Sequence, residues 1–191
     1  MTTLAAIQGP TWAVIGYDSQ VSEEGGRKYT LPKDAGKLVT NGPYIIGVTG
    51  DFRAVNILSH SFEPPDPPKK VGTPLDRFMT SKFIPALKEC FDDNFYGADN
   101  ESGAMLLVVV NGVVYEVGMN YDCLRDDAGL HALGSGAAYA LGALAALSTR
   151  SKRSLSTARA HVTKAIKIAA AYDHNSSEPV NLVVQEFDPE A

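Results

Sequence analysis

The sequence predicts an α+β domain built as a four-layer αββα sandwich, with two antiparallel sheets packed face to face between outer helix pairs. Two observations carry this reading. Strand and helix patterns come in blocks (strands, helices, strands, helices, a last strand), and segregated blocks build antiparallel sheets instead of alternating βαβ units. No internal repeat or long linker divides the chain, so residues 1–191 read as one domain, large enough to bury a substantial core.

The elements follow in order. Leu4–Gln8 and Trp12–Asp18 are apolar strands joined at Gly9-Pro10, a strong turn signal. Ser19–Asp34 is polar and rich in Gly, Glu and Lys, and reads as a loop or irregular hairpin. Lys37–Thr40 and Tyr44–Thr49 pair about Asn41-Gly42-Pro43; Gly50 ends them, and a short helix follows from Asp51 to about Leu58. Residues 62–73 form a Pro-rich surface insert whose core, Glu63 to Lys70, is expected to be a stiff, solvated spacer.

Pro74 suits the first turn of a helix running to about Phe95, with Leu75, Phe78, Met79, Phe83, Leu87 and Phe91 at helical spacing. Asp99 to Gly103 reads as a surface loop. Ala104–Val110 and Val113–Met119 flank Asn111-Gly112, the best hairpin signal in the chain. A strand near Gly129–Leu133 leads into Gly134-Ser135-Gly136, then helices near Ala137–Ser148 and Ser156–Ala171 and a final strand over Val180–Glu186. The first of these helices reads AAYALGALAAL, so more than one of its faces must be buried, against the sheet and either the adjacent helix or a neighbouring subunit.

Composition narrows the function. Hydrophobic residues are 45% and charged residues 20%, ordinary for a globular protein. A net charge of −5 argues against a nucleic-acid binder held by phosphate contacts. No apolar run approaches the roughly 20 residues of a membrane span, and the first dozen residues lack the basic start and apolar run of a signal peptide. Cys90 and Cys123 fit a reducing, cytoplasmic compartment without a disulfide framework. His60, His131, His161 and His174 lack ligand spacing, so neither a metal nor a cofactor is expected, and His131 and His161 read as ordinary helix or strand-flank residues.

Residues 2–18, TTLAAIQGPTWAVIGYD, are the most informative stretch. Removal of Met1 would leave Thr2 with a hydroxyl and a free α-amine. That pair can serve as nucleophile and general base together, because an α-amine titrates near ~7.7–8.0, close to a working pH. Alone, a Thr-Thr start is commonly incidental.

Read along the whole chain, TTLAAIQ, AVIGYDS, GKLV, IIGVTG, ALGSGAAYALGAL and AIKIAAAYDHNSS resemble a proteasome β-type subunit of the N-terminal nucleophile hydrolase superfamily, from Thr2 to about Phe187. The resemblance implies the sandwich fold of that superfamily. It implies Thr2 as nucleophile, Asp18 as the aspartate ending the second strand and Lys37 as the active-site lysine. Gly50 would be the glycine whose N–H faces the oxyanion, and Ser135 the serine that bonds the terminal amine. Asp173 and Ser176 would reproduce the family's Asp-x-x-Ser pair. Val48 would lie near the floor of a side-chain pocket, with Thr49 and the loop from Ser19 to Ser22 shaping specificity.

Each residue type also makes chemical sense. A lysine near the threonine hydroxyl lowers its pKa, and an aspartate keeps that lysine charged and oriented. Outside the resemblance, Lys37 reads as a surface lysine opening a strand and Asp18 as a turn acceptor. Gly50 would then be a strand-end glycine, Ser135 a helix N-cap, and Asp173 with Ser176 a turn at a helix end.

The start at Met1-Thr2 and the chain length are closer to HslV, the bacterial peptidase of paired rings fed by an ATPase. Asp173-x-x-Ser176 is closer to the proteasome, and the Pro-rich insert shortens a helix that contributes to ring contacts in the family. The expected protein is therefore a threonine endopeptidase with Met1 removed. It would form a homo-oligomeric ring of about six or seven subunits, doubly stacked, acting on unfolded polypeptide with an ATPase unfoldase or gating ring as partner. Two rivals remain: a stand-alone amidase or acylase on small amides, and an inactive ring subunit retaining Met1.

Overall fold

Strand β1 (Thr3–Gln8) is buried on both faces, and the layers form around it. Leu4 and Ala6 point one way and Ala5 and Ile7 the other, as the two-residue period of a strand requires. A strand apolar on both sides must be covered on both sides. β1 pairs antiparallel with β2 (Trp12–Asp18) and with β10 (Leu130–Gly134), and β11 (Val180–Glu186) pairs with β2, giving a four-stranded sheet in the order β10-β1-β2-β11. In this computed structural model residues 2–22, 26–32, 35–97, 103–148 and 153–190 are described. Met1 and, but for Gly103, the expected loop from Asp99 lie outside them.

The second sheet has the order β5-β6-β7-β8-β9, with β5 (Leu38–Asn41), β6 (Tyr44–Gly50), β7 (Ala104–Val110), β8 (Val113–Val117) and β9 (Cys123–Leu124), all antiparallel. The polar segment after Asp18 contains a short hairpin, β3 (Gln20–Ser22) and β4 (Lys28–Thr30), in line with the irregular hairpin expected there. Leu4, Ala6, Ile15 and Leu133 of the first sheet meet Ile45, Leu107, Val109 and Val114 of the second in the central layer. Each of the valine, leucine and isoleucine side chains contributes about 1.5–3 kcal/mol by leaving water.

Helices cover the outer faces. α4 (Ala137–Leu147) and α5 (Leu155–Tyr172) lie on the first sheet, packing Ala140, Leu144, Val162 and Ile166 onto Ala5, Ile7 and Val14. α1 (Arg53–His60), α2 (Thr73–Phe78), α3 (Ile84–Asp93) and the turn between the last two cover the second sheet through Leu58, Leu75, Met79, Phe83 and Leu87. The four-layer αββα sandwich expected from the sequence is thus the observed architecture.

Three expectations need correction. The helix from Pro74 is not uniform: a π-helical turn (Met79–Phe83) separates α2 from α3. Pro85 follows it, and its ring, with no N–H to give, would clash in a regular turn with the carbonyl four residues back, so the chain widens just before it. The Pro-rich insert is not a solvated spacer. Pro64, Pro65, Pro67 and Pro68 are half-buried, and the Pro65 and Pro68 carbonyls accept hydrogen bonds from Tyr44 Oη (2.6 Å) and Asn111 Nδ2 (2.8 Å). His131 does not flank a strand: it lies within β10, fully buried, with Nδ1 2.8 Å from Glu116 Oε1.

Among the described residues α4 is only partly covered. Ala140 and Leu144 are buried, whereas Tyr139 and Leu141 stay 46% and 42% exposed. The neighbouring helix α5 therefore does not cover it entirely.

Candidate active site

The register brings the predicted residues to one end of the two sheets. Leu4 pairs with Tyr17, so the start of β1 meets the end of β2, where Asp18 sits. Thr3 pairs with Gly134 at the end of β10, and Val180 at the start of β11 pairs with Asp18. In the second sheet, Lys37 immediately precedes β5 and Gly50 ends β6, paired with Ala104. Thr2, Asp18, Lys37, Gly50, Ser135, Asp173 and Ser176 come from separated parts of the sequence, yet all lie on segments that end here.

Asp18 is the hub. It is fully buried, and Oδ1 accepts from Lys37 Nζ and from the Thr3 N–H, each at 2.7 Å. Oδ2 accepts from the Gln20 N–H at 3.0 Å and the Ser177 N–H at 3.2 Å. A buried carboxylate needs such partners, since an unpaired one would face a prohibitive desolvation cost. Lys37 is 2% exposed. Burial pushes its ammonium below the ordinary lysine range, while the charge and hydrogen bond of Asp18 oppose that shift. The ammonium and the amide following Thr2 thus share one carboxylate oxygen.

A second carboxylate, Asp173, lies at the end of α5. Its Oδ2 accepts from Ser135 Oγ and from Ser176 Oγ, both at 2.7 Å, and its Oδ1 from the Asn175 N–H at 3.2 Å. Burial would raise its pKa, but these hydrogen bonds outweigh it and hold the carboxyl below the usual range. Ser135 Oγ also lies 3.4 Å from the Thr2 carbonyl oxygen, too far to compete with its bond to Asp173. Ser135 is not the cap of α4: Gly136 is the N-cap, and the serine hydroxyl turns to Asp173.

Two glycines are required by the geometry. Gly50 has φ +92°, and a Cβ there would overlap the Gly103 carbonyl; Gly134 has φ +96°, and a Cβ there would overlap the Thr2 carbonyl. Thr2 is 5% exposed, so the chain approaches it closely from β10.

The three residues expected to shape specificity fall on β6 and β3. Val48 packs into the core between the second sheet and its helices, with its N–H on the Lys37 carbonyl at 3.0 Å. Thr49 is buried and bonds the Met105 carbonyl at 3.3 Å, and Ser22 accepts from Gln20 Nε2 at 2.7 Å at the end of β3. Sequence reasoning missed Thr3, Gln20 and Ser177 as partners within the site. All three give a backbone N–H to Asp18, a group that carries no residue-type signal.

No family model matches the sequence, and no curated protein is significantly similar to it. Solved structures do match over nearly the whole chain. BPH of Thiobacillus denitrificans, solved in complex with epoxomicin, superposes with a TM-score of 0.77 at 22% identity, covering 98% of this chain and 100% of that one. Eukaryotic HslV from Trypanosoma brucei gives 0.69 at 22% identity, covering 97% and 99%. The fold is that of the proteasome-like N-terminal nucleophile hydrolases. A further structure with this fold is the helical assembly of the Anbu complex from Pseudomonas aeruginosa, with a TM-score of 0.69 at 14% identity over 97% of this chain and 81% of that one. Within the N-terminal nucleophile hydrolase fold of this chain, Thr2 stands directly before the central strand β1, between the two carboxylate clusters.

Proposed function

We propose that this chain is a threonine endopeptidase of a self-compartmentalising, proteasome-like assembly, acting on unfolded polypeptide through an N-terminal Thr2. The observation that carries this reading is the buried Lys37–Asp18 pair, held at 2.7 Å by the same oxygen that binds the amide after Thr2. A solvated lysine opening a strand has no need of such a cage. The exposed apolar face of α4 supports assembly with further copies, as does the assembled state of the Anbu neighbour.

Once Met1 is removed, the Thr2 α-amine accepts the proton of the Thr2 hydroxyl, and Oγ attacks the peptide carbonyl. The positive charge of Lys37 favours the alkoxide. The Gly50 N–H, free of a Cβ, donates to the oxygen on which negative charge develops. The C–N bond then breaks, the amine leaves with a proton from the α-ammonium, and an ester to Thr2 remains. Water adds to that ester with the same amine as base, releasing the acid and restoring Oγ–H. Ser135, its proton committed to Asp173, keeps lone pairs to accept from the terminal amine.

Intact mass and a peptidase assay test this together. An active preparation should begin at Thr2. Thr2→Ala should abolish hydrolysis of casein and of peptides without loss of fold, while Thr2→Ser retains part of it. Epoxomicin, present in the BPH structure, should raise the melting temperature of wild type and not of Thr2→Ala. An active protein retaining Met1, or equal turnover by Thr2→Ala, would overturn the reading.

A further inference from the structure

We infer that Thr3, not only Thr2, is specified by the site: its hydroxyl is a positioning group that ties the Asp173 cluster to the Asp18–Lys37 pair across the first peptide of β1. The inference rests on reading Thr2 as the nucleophile and deepens it.

Thr3 is fully buried and bonded on both sides. Its N–H gives 2.7 Å to Asp18 Oδ1, the oxygen that also holds Lys37 Nζ. Its Oγ1 lies 2.6 Å from Ser176 Oγ. The direction of that bond follows from proton counting. A hydroxyl has one proton to give, and Ser176 gives its proton to Asp173 Oδ2 at 2.7 Å. Thr3 is therefore the donor, and the order is Thr3 to Ser176 to Asp173, with Ser135 arriving at the same carboxylate oxygen from the other side.

Hydrogen bonds in such a chain polarise and orient one another. Here the chain has a mechanical result. The residue covalently joined to the nucleophile cannot rotate or slide along β1 without breaking a bond to one cluster or the other. Thr3 thus sets where Thr2 stands relative to Lys37 and Ser135. Positioning of this kind acts on the chemical step, because small displacements of a reacting group are costly to the rate. Thr3 points into the protein and away from any substrate, so its effect belongs in kcat and not in KM.

Valine at this position keeps the shape and loses the donor, leaving a buried lone pair of Ser176 unpaired. Serine loses a methyl group and keeps the donor. Steady-state hydrolysis of a fluorogenic peptide by the assembled protein, with melting temperature measured alongside, separates the two roles. Thr3→Val should lower kcat about tenfold or more, the rate equivalent of one buried hydrogen bond. Its KM should stay within about twofold of wild type, and Thr3→Ser should recover most of the turnover.

Wild-type kcat in Thr3→Val, or a Thr3→Ser enzyme as slow as Thr3→Val, would overturn the inference by reducing Thr3 to a packing residue. If Thr3→Val does not fold, Thr3→Ala against Thr3→Ser makes the same comparison, and equal turnover of the two overturns it. Thr2→Ala is the control. Its loss of activity beside an unimpaired Thr3→Val refutes the positioning role alone, whereas an active Thr2→Ala refutes the nucleophile itself.

Discussion

Lys37 Nζ and Asp18 Oδ1 lie 2.7 Å apart in a pair that is 2% and 0% exposed. Removing one member of such a pair strands the other in the protein interior, at a cost of about 3–5 kcal/mol. Asp18→Ala should be the worse case, because it takes an acceptor from the Thr3, Gln20 and Ser177 amides as well as the countercharge from Lys37. Lys37→Met leaves Asp18 with those three donors and should be milder. Urea denaturation of both variants measures the difference. Turnover should fall by orders of magnitude in each, and the double variant should be little slower than either, since groups acting as a unit are not additive. Lys37→Arg should not restore activity, because a planar guanidinium does not reproduce the ammonium's reach in a closed cavity.

Gly50→Ala tests the oxyanion role at a position where backbone and chemistry coincide. The residue sits at φ +92° against the Gly103 carbonyl. A side chain there should destabilise the fold by about 1–3 kcal/mol through strain. Movement of the N–H should lower kcat about 10²-fold or more, the usual loss for an oxyanion donor. Thermal melts and steady-state kinetics read the two effects separately. A variant that melts lower but turns over normally would remove Gly50 from the mechanism.

Much of this site was legible in the sequence, and the parts that were not share a cause. The strands around Gly9-Pro10 and Asn111-Gly112 were visible because turn chemistry is local. So was the final strand, found at Val180–Glu186 as expected. The convergence of Asp18, Lys37 and Asp173 rested on resemblance, because nothing local reveals which sheet end a side chain reaches. Thr3 was hidden beside Thr2: it opens β1 directly after an identical residue, and the sequence does not say which of the two the buried network holds. The docked Pro-rich strap escaped for a similar reason. Its attachment uses proline carbonyls and the distant side chains of Tyr44 and Asn111, a relation that composition cannot express.

Asp173 supplies a pH dependence whose sign can be worked out. Hydrogen bonds from Ser176, Ser135 and the Asn175 amide overcome the opposing effect of burial and hold its carboxyl below the unfolded value near ~3.9. A group depressed in the native state contributes stability that is present above the unfolded pKa and disappears as pH falls through the native one. Wild type should therefore lose part of its stability in acid below the ordinary aspartate range. Asp173→Asn should be less stable at neutral pH and show a shallower acid loss. Denaturation midpoints between neutral and strongly acidic pH check this, and parallel curves for the two proteins would show that Asp173 contributes no linkage.

The last prediction concerns assembly. α4 buries Ala140 and Leu144 against the first sheet and leaves Tyr139 and Leu141 on the surface, with Tyr139 stacked at 5.8 Å on the exposed Tyr172 of α5. A helix that is apolar on nearly every side is expected to be covered on more than one, and the described residues leave Tyr139 and Leu141 exposed. If the cover is another copy of this chain, mass photometry of wild type should give a closed or helical assembly of about six or more subunits. Leu141→Glu should then shift the distribution to smaller species. Because Leu141 already faces solvent, the variant should keep its fold and melt within a few degrees of the isolated subunit, as exposed substitutions commonly do. Its peptidase activity should fall with assembly if the site depends on neighbours, and persist if confinement alone is lost. Assembly unchanged by Leu141→Glu would place the contact elsewhere. A wild-type monomer cleaving small amides and not casein would favour the stand-alone amidase.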